Sequence, residues 1–181
     1  EKLAALKGKK VGIGHGLRSN PVADMLLMDH GIEYVRADDH ERPGPPGRSV
    51  KNFDFLLRSR GGRRVIAEVK GRAYRGTNVS ERVGFECWVT RDDVEGLALW
   101  QRILGADHEA AFVFAYRVAQ ADVDFDGCDV LDFAGERYLF FCIRLDDYRR
   151  HMKWRSPKWE TVTLPAERFR QCAVGLAAFL L

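Results

Sequence analysis

The sequence predicts an α/β protein whose mixed central sheet arises in the order helix, strand, strand, strand, helix, strand. Three observations carry this. Two β-prone runs, Asn52–Leu57 and Val65–Lys70, flank an Arg- and Gly-rich turn with Gly61-Gly62 near its middle, which reads as a hairpin. The capped stretch Thr90–Leu104 carries a helical apolar stripe. The nearly continuous apolar run Ala110–Val118 then reads as a central strand buried on both faces.

Composition allows this and sets bounds. The chain has 181 residues, 46% of them hydrophobic, enough for one domain with a proper core. We expect a single domain over 1–181, with a core at about 20–118 and a basic β/α extension at about 119–181. The net charge is only +3, so global charge does not announce a polyanion partner. Distribution says more. Arg58–Arg75 holds seven Lys or Arg against one acid, and Arg149–Trp159 holds five against none. Four scattered cysteines, Cys87, Cys128, Cys142 and Cys172, lack metal-site spacing and suit a reducing, cytoplasmic setting. No signal peptide or membrane-spanning run is visible, so no membrane partner is expected.

In chain order, Gly12–Gly16 completes neither glycine-rich phosphate motif, and a glycine-rich entry to a helix is the better reading. Asn20-Pro21 opens a helix that stops at Gly31. Ile32–Arg36 is the first strand. Asp38–Asn52, with Pro43-Gly44-Pro45-Pro46-Gly47, is a loop made basic by Arg42, Arg48 and Lys51.

In the hairpin that follows, Ile66, Glu68 and Lys70 share one face and Val65, Ala67 and Val69 the other. A turn centred on Gly61 sets Asp54 opposite Glu68, with Cβ atoms about 4.5–5.5 Å apart. Two carboxylates that close repel unless a cation sits between them. Asp and Glu oxygens with open water positions suit Mg²⁺ or Mn²⁺. The other reading of the trio is a salt-bridged cluster on an exposed sheet face.

Asp54, a short spacer and Glu68-Val69-Lys70 on the next strand resemble the PD-(D/E)xK nuclease superfamily, which includes archaeal Holliday junction resolvases and many restriction enzymes. The resemblance spans roughly Asn20–Arg117. Where the family usually has Pro before the Asp, this chain has Phe53. The resemblance implies an αβββαβ restriction-endonuclease-like core, with Asp54, Glu68 and the Val69 carbonyl as metal ligands. It implies that Lys70 orients the attacking water or stabilises developing charge, giving metal-assisted hydrolysis of phosphodiesters, DNA above all. In the resolvases the first helix often adds a Glu; the candidates here are Asn20 and Asp24. Families of this kind often place a Gln or Lys on the second helix, where Glu95 and Gln101 are the possible equivalents. Cutting both strands would call for a homodimer. A catalytically inactive nucleic-acid binder on the same fold, or a structural domain, is the alternative.

Beyond Lys70, Arg72, Tyr74 and Arg75 are expected to emerge where the strand ends, with Arg72 and Arg75 as phosphate contacts. Thr90 N-caps the second helix with Asp93 at its third position, and Val94, Leu97, Ala98, Ile103 and Leu104 turn mostly inward. Asp122–Gly127 imitates a calcium loop, but Phe133 stands where a bidentate Glu is required. Leu131–Phe133 and Tyr138–Leu145 form a second hairpin. Arg149–Trp159 interleaves Arg150, Lys153 and Arg155 with Trp154 and Trp159, which suits phosphate contacts plus stacking, or a basic loop anchored by its tryptophans. Thr161–Leu164 reads as an edge strand and Pro165–Ala178 as one closing helix.

Overall fold

The protein is described here by a computed structural model covering residues 19–37, 51–120, 123, 125, 128 and 130–180. Gly12–Gly16, most of the proline-rich loop, and Asp122 and Asp124 of the calcium-like stretch lie outside the described residues.

Helix α1 (Ser19–Asp29) leads through Gly31, at φ +63°, into strand β1 (Glu33–Arg36). The hairpin follows as β2 (Phe55–Arg58) and β3 (Arg64–Tyr74). Its register pairs Phe55 with Ala67 and Leu57 with Val65. That is the predicted frame, and it puts Asp54, one residue before β2, level with Glu68. Asp54 holds on to β3 there: its backbone N donates to the Ala67 carbonyl at 3.0 Å.

Strand β4 (Val89–Thr90) runs into helix α2 (Arg91–Leu104). The predicted capping box is present: Thr90 Oγ1 accepts from Asp93 N at 3.1 Å, and Asp93 Oδ2 accepts from Thr90 N at 2.9 Å. Gly105 ends the helix at φ +92°. Strand β5 (His108–Val118) returns parallel to β3, as its apolar run and helical connection require. Strands β6 (Val130–Phe133) and β7 (Glu136–Arg144) form the second hairpin, closed by Ala134 and Gly135, both at positive φ, the signature of a type I′ turn. Helix α3 (Leu145–His151), β8 (Lys153–Ser156), a 3₁₀ turn (Pro157–Trp159), β9 (Thr161–Thr163), α4 (Ala166–Cys172), β10 (Val174–Gly175) and α5 (Leu176–Leu180) complete the chain.

The main sheet runs β1-β2-β3-β5-β7-β10, with β6 also on β7, and a small sheet runs β4-β9-β8. Alternation along the central strands sorts two cores. Ile66, Phe112, Phe114 and Tyr116 face α2, α3 and α4, together with Val94, Trp100, Tyr148 and Phe169. Val65, Ala67, Ala111 and Val113 face α1 and α5, against Leu26, Leu27 and Phe179. The sheet is therefore covered on both sides, which is why β5 reads as continuously apolar.

Four expectations need correction. Strand β3 does not stop at Lys70: it pairs with β5 as far as Tyr74–Val118, and Tyr74 is fully buried with its hydroxyl donating to the Asn78 carbonyl at 2.7 Å. Thr161–Thr163 is no edge strand, because β4 and β8 flank it. The closing helix is broken at Val174-Gly175, which hydrogen-bonds to Cys142 and Phe141 at the edge of β7. An open sheet edge beside an apolar segment outcompetes helix continuation there. Ile103 is exposed rather than inward.

Candidate active-site cleft

The side chains of Glu68 and Lys70 stand on the aromatic, α2-facing side of β3. They line an open cleft of about 1620 Å³ together with Lys51, Asp54 and Val69 from the β2–β3 side and residues of α2 and α3. That volume lies above the roughly 300–1,000 Å³ usual for small-molecule clefts.

Each central side chain is held by a specific bond. Asp54 Oδ2 accepts from Val69 N at 2.7 Å, which fixes the Asp54 carboxylate against the backbone beside Glu68. Lys70 Nζ donates to Glu68 Oε1 at 2.7 Å and lies 3.0 Å from Asp93 Oδ1. Lys51 bridges the same two acids, 3.4 Å from Glu68 Oε1 and bonded to Asp93 Oδ1. The backbone around Lys51 is anchored on α2, since its carbonyl accepts from Trp100 Nε1 at 3.0 Å.

The electrostatics follow from this crowding. Glu68 is 6% exposed. Burial and the neighbouring Asp54 charge push its carboxyl above the usual range, and Lys70 and Lys51 only partly offset them. Asp93 responds oppositely. Burial pushes it up, but Lys70, Lys51 and the Thr90 backbone N–H outweigh that and hold it below the ordinary aspartate range. Burial pulls the Lys51 ammonium down, yet Asp93 and Glu68 hold it above the usual lysine range.

Asp54 and Glu68 are two hard-oxygen carboxylates that repel one another beside the cleft, a donor type that suits Mg²⁺ or Mn²⁺, although Lys70 and Lys51 already face Glu68 Oε1. Among the described residues no group of three or more His, Cys, Asp or Glu is arranged to hold a metal. The first-helix candidate Asp24 is bonded elsewhere: it is buried and pairs with Arg36 on β1 at 2.6 Å. Asn20 lies in α1. Glu95 and Gln101 both line the cleft, and Glu95 pairs with Arg91 at 2.8 Å.

The arginines expected on phosphates take other positions. Arg72 sits inside β3, two residues past Lys70 on the same face. Its guanidinium stacks on the Trp88 ring at 3.9 Å and donates to the Trp88 carbonyl. Burial holds it below the usual arginine range. Arg155 covers Trp88 as well, at 5.0 Å. Arg75 and Lys153 are exposed, as is Arg150, whose Nη1 lies 3.9 Å from Asp147. None of these five lines the cleft; Arg91, Arg102 and Arg149 do. Sequence reasoning had named Asp93 only as a cap and Lys51 only as part of a basic loop.

Comparison with known proteins adds the fold. No family model matches the sequence, and no curated protein matches it. Among solved structures the chain matches Hjc of Archaeoglobus fulgidus, a Holliday junction resolvase from an archaeal hyperthermophile, with a TM-score of 0.51. The match covers 92% of this chain and 100% of that one at 15% identity. At that identity the likeness is one of fold: a mixed α/β sheet with flanking helices, restriction-endonuclease-like. No helix among the described residues is long and apolar enough to cross a membrane.

Proposed function

We propose that this chain is a metal-dependent nuclease of the PD-(D/E)xK kind that hydrolyses phosphodiester bonds in DNA, acting in the cytoplasm as one domain over 1–181. The observation that supports this is that Asp54, just before β2, and Glu68 and Lys70 on β3 line one open cleft. Their order and register are those of the motif, and the fold resembles that of a junction resolvase.

Asp54, Glu68 and the Val69 carbonyl would hold Mg²⁺ or Mn²⁺, which when bound supplies a Lewis acid and an activated water. Lys70, held between Glu68 and Asp93, would orient the attacking water or offset charge developing on the phosphate. Lys51 adds a second cation at the same spot. Asp93 anchors both ammonium groups at the start of α2. In this reading Arg75, Arg150, Lys153 and Arg155 contribute exposed positive charge outside the cleft, and Arg72, stacked on Trp88, makes no contact at the scissile phosphate. Cutting both strands of a branched or duplex DNA calls for two copies, so a homodimer is part of the proposal.

A second reading rests on a specific feature. Glu68 and Asp93 are each already bridged by two lysines, and no third carboxylate joins Asp54 and Glu68 among the described residues. A nuclease-fold protein that binds DNA without cutting it would look the same. Incubation with branched, nicked and single-stranded DNA plus Mn²⁺, with Glu68→Gln as control, separates the two. Cleavage by the wild type that Glu68→Gln lacks supports the enzyme. DNA binding without turnover, together with no calorimetric Mn²⁺ binding, leaves the silent binder.

A further inference from the structure

The hairpin formed by β8, the 3₁₀ turn and β9 carries two tryptophans that the core does not use. Trp154 is 52% exposed and Trp159 is 69% exposed. Trp is a residue type enriched at interfaces, where one part of the ring packs and the other meets water or a partner. Each ring is covered on one side by a cation: Arg91 over Trp154 at 5.4 Å and Lys158 over Trp159 at 5.4 Å. Lys153 and Arg155 flank them, exposed, and the hairpin's acid is Glu160.

The hairpin is tied to the cleft. Arg91, the cation over Trp154, is the first residue of α2 and lines the cleft. Its backbone N donates to the Glu160 carbonyl at 2.8 Å. The two exposed rings therefore sit on an element hydrogen-bonded to the rim of the Glu68 site.

We propose that this hairpin is a stacking platform for single-stranded DNA, so that the substrate class is DNA with an unpaired arm. The proposal rests on the DNA reading above. An indole with one face capped by a cation offers its other face to a base, and the cation to the adjoining phosphate. Duplex DNA cannot use such a platform, because its bases are stacked on one another and show only edges in the grooves. The charge of the hairpin favours a polyanion over an apolar or cationic partner.

The test is binding of labelled oligothymidylate in EDTA, so that no cleavage intervenes. An oligonucleotide of about 20 residues spans a site of roughly 4–16. The wild type is expected to bind it about tenfold or more tighter than a blunt duplex of equal length, with quenching of tryptophan fluorescence. Trp154→Leu and Trp159→Leu should each weaken binding about five- to a hundredfold, the range of one lost base stack. Trp154→Phe and Trp159→Phe should retain most of it. Both side chains are exposed, so thermal melting should be unchanged. Equal or tighter duplex binding, Leu variants that bind like the wild type, or tighter binding of the matching RNA would each overturn the proposal. Binding that survives in Glu68→Gln while cleavage is absent from the wild type would sink the nuclease chemistry alone. Cleavage that is indifferent to both tryptophans would sink the platform alone.

Discussion

Glu68 on β3 and Asp93 in the first turn of α2 share the Lys70 ammonium, at 2.7 and 3.0 Å. One acid comes from the hairpin and the other from a helix cap, and the lysine between them joins the sheet to α2. This makes the cap part of the site. Asp93→Asn keeps an acceptor for the Thr90 backbone N–H but loses the charge that holds Lys70 and Lys51. We expect it to cost about 1 kcal/mol in urea denaturation and, on the nuclease proposal, tenfold or more in cleavage rate. Asp93→Ala also forfeits the cap, worth roughly 0.5–2 kcal/mol, and should be the less stable of the two.

Glu68 is an acid whose surroundings disfavour its charged form. Burial and Asp54 raise its pKa, so the ionised group is a liability that a divalent ion would relieve. Because Lys70 and Lys51 keep Asp93 as a partner, Glu68→Gln should leave the metal-free protein within about 1 kcal/mol of the wild type. Mn²⁺ should raise the Tm of the wild type and leave that of Glu68→Gln unmoved. A Tm shift of equal size in both would remove Glu68 from the ligand set.

Asp24 gives a pH signature unconnected with the cleft. It pairs with Arg36 at 2.6 Å, yet burial outweighs that attraction and raises its pKa. Tyr34 and Arg36 both pull the other way, and among the described residues its Oδ1 is buried with no hydrogen-bond partner. A carboxyl raised on folding contributes stability that is fully present below its unfolded value, about 3.9, and lost as pH rises through the folded one. Compared with Asp24→Asn, the wild type should lose stability between about pH 3.9 and neutrality. Urea denaturation of both proteins at acid and neutral pH reads the difference directly.

The β6–β7 turn tests the fold alone. Ala134 and Gly135 adopt φ +52° and +78°. Ala is poorly suited to the first of these, whereas Asn-Gly is the preferred type I′ pair. Ala134→Asn should raise stability by about 0.5–1 kcal/mol, and Gly135→Ala, at positive φ, should lower it by more than about 1 kcal/mol. Neither should alter the DNA binding proposed above.

Local chemistry was legible where local rules decide. The capping box at Thr90 and Asp93, the glycine stop at Gly105, both hairpins and the parallel pairing of β3 with β5 follow from residue type, spacing and alternation. So does the placing of Asp54 opposite Glu68, because the turn length fixes the register and the register fixes which side chains meet. The small sheet, the break at Val174 and the extra turns of β3 depend on which edge or neighbour is free to pair, and no stretch of sequence states that about a distant one.

The motif Asp54, Glu68, Lys70 was set by the chain itself, since a hairpin brings its own strands together. The partners of that motif were decided only in three dimensions. Asp93 and Lys51 reach Glu68 because α2 packs across the face of β3, and Arg72 is diverted to Trp88 because the small sheet lies along the same face. Hydrophobic burial drives that packing without regard to the charges it juxtaposes, so the company a buried carboxylate keeps is a property of the tertiary structure.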